Sequence, residues 1–436
     1  MVVKVAKFGG SSVANAIQLQ KVKSIIESDP ERRFVVVSAP GKRYADDNKV
    51  TDLLYLCKTH IDHNLPSEQI FQVIYDRFKS MEASLGVDVG LEKEFQEIKD
   101  RLKPGVTADY LASRGEYLSA KITAAYLGFD FVDTRGLVTF DENGRFIPDE
   151  TQMALTMELS KHENAVLPGF YGSTHDGTIK TFSRGGSDVT GSIVAKAVNA
   201  SVYENWTDVS GFLMADPRIV DNPKPIEHIT YKELRELSYM GASVLHEDAV
   251  FPVREANIPI NIRNTNDPSH TGTFITDIPI PSDSIITGIA GRKDFTVIAI
   301  YKNMMNSEIG FVKRLLTILE SNEVSFEHLP SGIDTVCVIL SSKQLEGKLN
   351  NIMDDIEKRL QPDSIEIHEK IALIATVGIG MNRRLGVAAR LFGAMGATEV
   401  NVRMIDQGSS EMNIIIGVEN DQFETAIRAI YSAFVD

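Results

Sequence analysis

The chain has 436 residues, 43% of them apolar, with 45 Lys and Arg against 60 Asp and Glu and a formal charge of −15 at neutral pH. These values fit a soluble protein of several domains and exclude a disordered or fibrous one. The negative charge, with no run of Lys or Arg to override it, argues against nucleic acid as a partner, and Cys57 and Cys337 have no Cys/His spacing around them that would bind zinc.

The first residues, Met1-Val-Val-Lys-Val-Ala-Lys7, contain no apolar signal core. No segment approaches the ~20 apolar residues that span a bilayer. The expectation is a cytoplasmic protein with no membrane partner. Short apolar runs at 2–8, 34–38, 129–133, 165–170, 201–206 and 258–263 alternate with longer helical patterns. That alternation predicts an α/β domain with a mostly parallel sheet covered on both faces, ligands gathering at the carboxyl ends of its strands. Residues 266–284, with Pro268, Pro279 and Pro281 among Asp, Ser and Thr, read as a linker, so the first domain is placed at 1–284.

The remainder contains an internal repeat of about 75 residues. The first copy, in the region 285–370, reads as strand 295–302, helix 308–321, strands 324–330 and 335–341, helix 344–360 and strand 365–369. The second, 371–436, reads as strand 371–377, helix 383–395, strands 400–405 and 412–418 and helix 422–434. The second copy is one strand short. An open sheet edge is a liability, so a strand from 285–294, just ahead of the first copy, is expected to complete it and interleave the two modules.

Three clusters in the first domain could carry chemistry. Lys7-Phe-Gly-Gly-Ser-Ser12 joins a strand to a helical pattern with Val13, Ile17, Val22, Ile25 and Ile26 on its apolar face. Glycines there let a ligand approach the backbone, free amides favour an anion and a lysine adds positive charge, which together describe a phosphate cradle. A plain turn with Ser12 as N-cap is the alternative. Thr181-Phe-Ser-Arg-Gly-Gly-Ser-Asp188 precedes a helix at 190–198 and offers Arg184 to a carboxylate and Asp188 to a lysine or Mg²⁺, or else is a glycine turn capped by Ser187 or Asp188. In the helix 109–127 the apolar face is Leu111, Leu118, Ile122 and Ala125, which leaves Glu116 on the polar side as a ligand or a solvated residue. Ser38, at a strand end, and Thr51, after a polar loop, would face the same cleft or cap local structure. No Walker-type Gly-x-x-x-x-Gly-Lys element is present, and Gly378-Ile-Gly380 lacks the third glycine of a dinucleotide fingerprint.

Lys7-Phe-Gly-Gly-Ser-Ser12, Ser113-Arg-Gly-Glu116, Phe182-Ser-Arg-Gly-Gly-Ser-Asp188, Thr207-Asp-Val-Ser-Gly-Phe-Leu-Met-Ala-Asp-Pro-Arg218 and Met240-Gly-Ala-Ser-Val-Leu-His246, in that order, resemble aspartokinases. The wider family is the amino acid kinases, and the doubled module resembles a tandem pair of ACT domains. The resemblance implies a three-layer αβα sandwich, the amino acid kinase fold, followed by two α+β ferredoxin-like ACT domains. It implies transfer of the γ-phosphoryl of ATP, with Mg²⁺, to the side-chain carboxylate of L-aspartate, giving 4-phospho-L-aspartate at the first step toward lysine, threonine and methionine. A carboxylate is already ionised at neutral pH. Such an enzyme therefore needs no general base, only the alignment of two anions and neutralisation of the charge that moves.

Carried over residue by residue, the resemblance gives Lys7 to the transferring phosphoryl group, cradled by the amides of Gly9 and Gly10. Asp188 would orient Lys7 or the Mg²⁺ shell, Arg184 would pair with a substrate carboxylate, and Glu116 would receive the substrate ammonium. Ser38 and Thr51 would line the aspartate pocket, and Thr207, Asp208 and Arg218 would bind nucleotide. Two positions depart from the family: Leu213 where many members have tyrosine, and Ser243 where many have lysine. The ACT-like modules imply feedback inhibition by lysine, alone or with threonine, at Met305, Glu327 and Ser331, and a homodimer through those modules or a tetramer of such dimers. At Met305 the alternative is a core residue, and at Pro330-Ser-Gly a simple turn. A kinase of the same fold acting on glutamate, acetylglutamate or UMP and a catalytically silent amino-acid sensor are the other readings.

Overall fold

Short β-branched and aromatic runs form the strands of the large sheet in the computed structural model, which describes residues 2–183, 185–242, 245, 247–281 and 284–435. Among these residues the strand order is His228–Thr230, Thr273–Thr276, Ile260–Asn264, Val202–Thr207, Lys4–Phe8, Arg32–Val37, Ala165–Pro168, Asp130–Phe131. Neighbours are parallel except Ile260–Asn264 against Thr273–Thr276. Side chains alternate along each strand. Ala6, Phe8, Val35, Val37, Val166 and Trp206 bury one face under the helices Ala16–Glu27, Val50–Asp62, Glu68–Leu85 and Ala108–Leu127. On the other face the helix Gly186–Ala197 packs against Lys4–Phe8, Arg32–Val37 and Val202–Thr207. The result is the αβα sandwich that the alternation of elements predicts.

Two local expectations fail near the N-terminus. Ser12 caps no helix: the glycine turn enters the 3-10 turn Gly10–Val13, and the helix Ala16–Glu27 starts one turn later, where Asn15 accepts from the Gln18 amide at 3.0 Å. With the start shifted, Leu19 takes the inward position and Ile17 is 65% exposed. The helix Ala108–Leu127 differs more. Besides Leu111, Leu118 and Ile122 it buries Gly115, Glu116, Ser119 and Thr123, while Ala125 is exposed, so it is covered on two sides where one was expected.

The described chain divides into two compact units that do not follow a single cut. Residues Leu213–Lys224 and Lys232–Ser243 group with Ile280–Asp436, and the rest with Met1–Phe212. In the second unit the order is Thr335–Ser341, Gly288–Tyr301, Ser364–Val377, Asn413–Glu419, Met404–Asp406, all neighbours antiparallel. The two central strands each serve both repeats. Gly288–Arg292 pairs with Leu373–Val377, beyond which lies Asn413–Glu419 of the second repeat, whereas Phe295–Tyr301 pairs with Thr335–Ser341 of the first. The register breaks between Arg292 and Phe295, and Asp294 and Lys370 take positive φ of 68° and 59° at the crossover.

Three elements of the repeat are shorter than their sequence pattern. Residues 324–330 form no strand and meet the sheet only through single bridges, His328 to Ile339 and, just beyond, Ser331 to Val336. The helix expected at 344–360 breaks at Gly347, φ +72°, into Ser342–Leu345 and Leu349–Leu360. The strand expected at 400–405 is reduced to Met404–Asp406. No helix among the described residues is long and apolar enough to cross a membrane.

Candidate active site

Lys7 sits near the carboxyl end of Lys4–Phe8, and strand alternation turns it toward the helix Gly186–Ala197. It is 7% exposed, and its Nζ lies 2.5 Å from Asp188 Oδ1. Asp188 is in the first turn of that helix, entered through Gly185 in the left-handed region at φ 58°. The helix approaches the sheet closely because Gly191 has no side chain: a Cβ there would lie 2.6 Å from the Tyr203 hydroxyl. That hydroxyl donates to the Asp188 carbonyl at 3.0 Å, and Asn205 Nδ2 donates to Asp188 Oδ1 at 2.8 Å.

The glycine turn is only partly a cradle. The Gly9 amide donates to Trp206 O at 3.0 Å, so it extends the parallel ladder and is not open to a ligand. That corrects the expectation for Gly9. Gly10 begins the 3-10 turn against a second loop, where a Cβ would come within 2.9 Å of Ala39 O and where the Gly41 amide donates to Gly10 O at 2.8 Å. Sequence reasoning missed what fixes this loop. The buried Arg77 guanidinium donates to the carbonyls of Ala14, Gly41 and Asn48 and lies 3.5 Å from Asp47. The Arg43 hydrogen bond holds the Asp47 carboxyl well below the usual carboxylate range.

Glu116 is the largest departure from the pattern-based expectation. It is 5% exposed, and its Oε2 has no hydrogen-bond partner. Gly115 permits the burial, since a Cβ there would fall 2.7 Å from Ala39 Cβ. Burial pushes the carboxyl up to about 8, against the Ala39 amide and the Arg114 charge, which favour the ionised form. Ala39 follows Ser38, whose amide donates to Phe8 O at 3.1 Å, and the Val50 amide beside Thr51 donates to Pro40 O at 3.1 Å. Ser38, the first turn of the Thr51 helix and Glu116 therefore converge on one loop at the strand ends. Arg114 lies on the other side of its helix, its guanidinium 4.5 Å from the Tyr117 ring centroid, where it lines a cavity of about 610 Å³ with Arg101, Tyr110 and Asp133. None of the expected site residues among the described ones lines that cavity.

Arg184 and Ser243 lie outside the described residues. Thr207 ends its strand with its carbonyl accepting from the Thr265 amide at 2.9 Å, and its hydroxyl donates at 3.2 Å to the exposed Asp208. Arg218 and Leu213 belong to the second unit, where Arg218 is held by Asp216 at 2.6 Å. Also in that unit, Met305 is 6% exposed in a core with Phe311 and Leu315, so the packing alternative describes it, while Met304 is the exposed neighbour. Glu327 accepts a hydrogen bond from Tyr239, and Ser331 is exposed at a turn closed by Gly332 N to Thr335 O at 2.7 Å.

The amino acid kinase family matches residues 3–264, and an ACT domain matches 374–434. The chain is 38% identical to aspartokinase 3 of Bacillus subtilis, over 99% of this chain and 98% of the relative. It resembles the crystal structure of Clostridium acetobutylicum aspartate kinase at 50% identity and a TM-score of 0.93, each chain covered completely. Escherichia coli aspartokinase III, solved with aspartate and ADP and also with lysine and aspartate, is 24% identical with TM-scores of 0.73 and 0.75 over all of both chains, a likeness of fold.

Proposed function

We propose, for a chain that belongs to the amino acid kinase family and within it to the aspartokinases, the following division of labour in the phosphorylation of L-aspartate. The observation that carries it is the buried Lys7–Asp188 pair at the glycine turn. The aspartate side-chain carboxylate attacks the γ-phosphorus of ATP, the bond to the ADP oxygen breaks, and no proton needs to move. Negative charge shifts toward the leaving oxygen, and the Lys7 ammonium is the fixed positive group that offsets it in a poorly solvated site. Asp188 keeps Lys7 in place, and Gly10, whose missing side chain lets the Ala39–Gly41 loop close against it, offers its amide to the phosphoryl group.

Glu116 receives the substrate ammonium, which gives its Oε2 the partner it lacks. Ser38, Thr51 and Arg184 complete the aspartate pocket, and Thr207 and Asp208 bind the nucleotide. Mg²⁺ arriving with ATP fits the donor set, because it needs only one or two carboxylates beyond phosphate oxygens and water, and the partly exposed Asp188 carboxylate beside Lys7 would be one of them. Bound there, Mg²⁺ supplies neutralisation of the phosphate charge.

The second unit takes lysine, alone or with threonine, as a feedback inhibitor. Glu327 offers a carboxylate to a cationic effector, Ser331 a hydroxyl, and pairing of two such units gives a homodimer. The E. coli relative solved with lysine supports this reading. Lys7→Ala tests the site: turnover should fall by about two to three orders of magnitude with the melting curve unchanged. Near-normal turnover would remove Lys7 from the mechanism.

A further inference from the structure

We infer that Asn205 is a positioning residue for phosphoryl transfer, acting through Asp188 on Lys7; the inference rests on the reading of Lys7 and Asp188 given above. Asn205 lies beside Lys7 in the parallel register of Lys4–Phe8 and Val202–Thr207, on the same face, and is 4% exposed. Residues 203–206 of its strand are buried on both faces, as central parallel strands are, and an amide in that setting needs a partner. Its partner is Asp188 Oδ1, at 2.8 Å from Nδ2. Only the NH₂ end of an asparagine can face a carboxylate, so this contact also fixes which way the amide points.

Asp188 Oδ1 thus takes both the Lys7 ammonium and the Asn205 amide, at 2.5 and 2.8 Å. The Lys7 charge and the Asn205 donor, from adjacent strands and both on one oxygen, oppose pivoting of the carboxylate about its Cβ–Cγ bond. A carboxylate held by Lys7 alone would be free to turn, and would draw the ammonium toward whichever oxygen was nearer. Lys7 could then no longer be held for the phosphoryl group. Asn205 keeps the ammonium's remaining N–H bonds directed at the strand end, and it does so without touching substrate.

The test is a double-mutant cycle in the full-length enzyme with Asn205→Leu and Asp188→Asn, alongside Asn205→Ser, which keeps a shorter donor. Asn205→Leu should lower kcat by about ten- to a hundredfold, leaving the KM for ATP and aspartate and the calorimetric affinity for ADP within about twofold. Asn205→Ser should recover part of the loss. In the Asp188→Asn background the Leu substitution should add little, because the contact it removes no longer orients a carboxylate. A loss of kcat that is fully additive with Asp188→Asn, or one matched by lost ADP affinity, would overturn the inference and leave Asn205 a packing residue. Normal turnover in Asp188→Asn itself would instead overturn the underlying reading of the site.

Discussion

Glu116 is a carboxyl group that burial makes reluctant to ionise, and that reluctance has a measurable sign. Its folded value, about 8, lies above the ordinary 4.5, so between those two pH values the ligand-free site holds a proton that the unfolded chain has lost. Two consequences follow from linkage. Folding of the ligand-free enzyme is progressively disfavoured by this group as pH rises from about 4.5 to about 8, so Glu116→Gln should raise the melting temperature more at pH 8 than at pH 5. Binding of a substrate ammonium requires the carboxylate, so the KM for aspartate should fall with rising pH, by at most about tenfold per unit, and level off near pH 8. Glu116→Gln should bind aspartate weakly and without that slope; a slope that survives the substitution would assign it to another group. The sequence offered Glu116 as a candidate through the resemblance of Ser113-Arg-Gly-Glu116, but its burial was not legible there. Hydrophobic periodicity reports apolar neighbours on the same helix, whereas the cover over Glu116 is Ala39, from a loop after a different strand. Asn205 could have been suspected, since Glu204-Asn205 stands between the apolar Tyr203 and Trp206 of a short strand, but its partner Asp188 is set only by the parallel register and the approach of a helix.

At the scale of elements, the helix Tyr231–Tyr239 shows how a regulatory signal could be read out within the second unit. Glu233, Glu236 and Tyr239 recur at spacing three and form one stripe. Glu233 accepts from Thr287 Oγ1 at 2.6 Å and Ile379 N at 2.8 Å, Glu236 accepts from Asn413 Nδ2 at 2.7 Å, and the Tyr239 hydroxyl donates to Glu327. Burial and the Glu327 carboxylate push the Tyr239 hydroxyl up to about 12, so it stays a donor at neutral pH. A cationic effector that recruits Glu327 competes with Tyr239. Tyr239→Phe should therefore lower the lysine concentration for half-inhibition, and Glu327→Ala or a change at Ser331 should raise it, each with uninhibited turnover unchanged. An inhibitor response identical to the parent in all three would count against the effector site. The helix itself was not among the elements the sequence made informative. Its stripe is polar because it meets backbone and side-chain donors, and such a face has the composition of a solvated one.

On the scale of the whole chain, the repeat was legible because two copies of the same apolar alternation follow one another. What the sequence could not give was that its central strands run unbroken through both copies: Gly288–Tyr301 and Ser364–Val377 are each 14 residues long, and the pattern shows only their halves. The positive-φ residues Asp294 and Lys370 at the crossover carry no glycine to announce the bend. A chain ending at Lys370 would strip Gly288–Arg292 of its partner Leu373–Val377 and expose an edge. Such a chain should lose the thermal transition of both repeats and aggregate on heating; a first repeat that melts as in the full chain would refute shared strands. The most direct test of the account is an ATP-dependent hydroxamate assay with L-aspartate, which traps the acyl phosphate, run without effector and with lysine and threonine singly and together. The account predicts product that depends on both substrates and is suppressed by lysine. No product from folded protein would contradict the assignment of the site, and product indifferent to lysine in every combination would contradict the assignment of the effector.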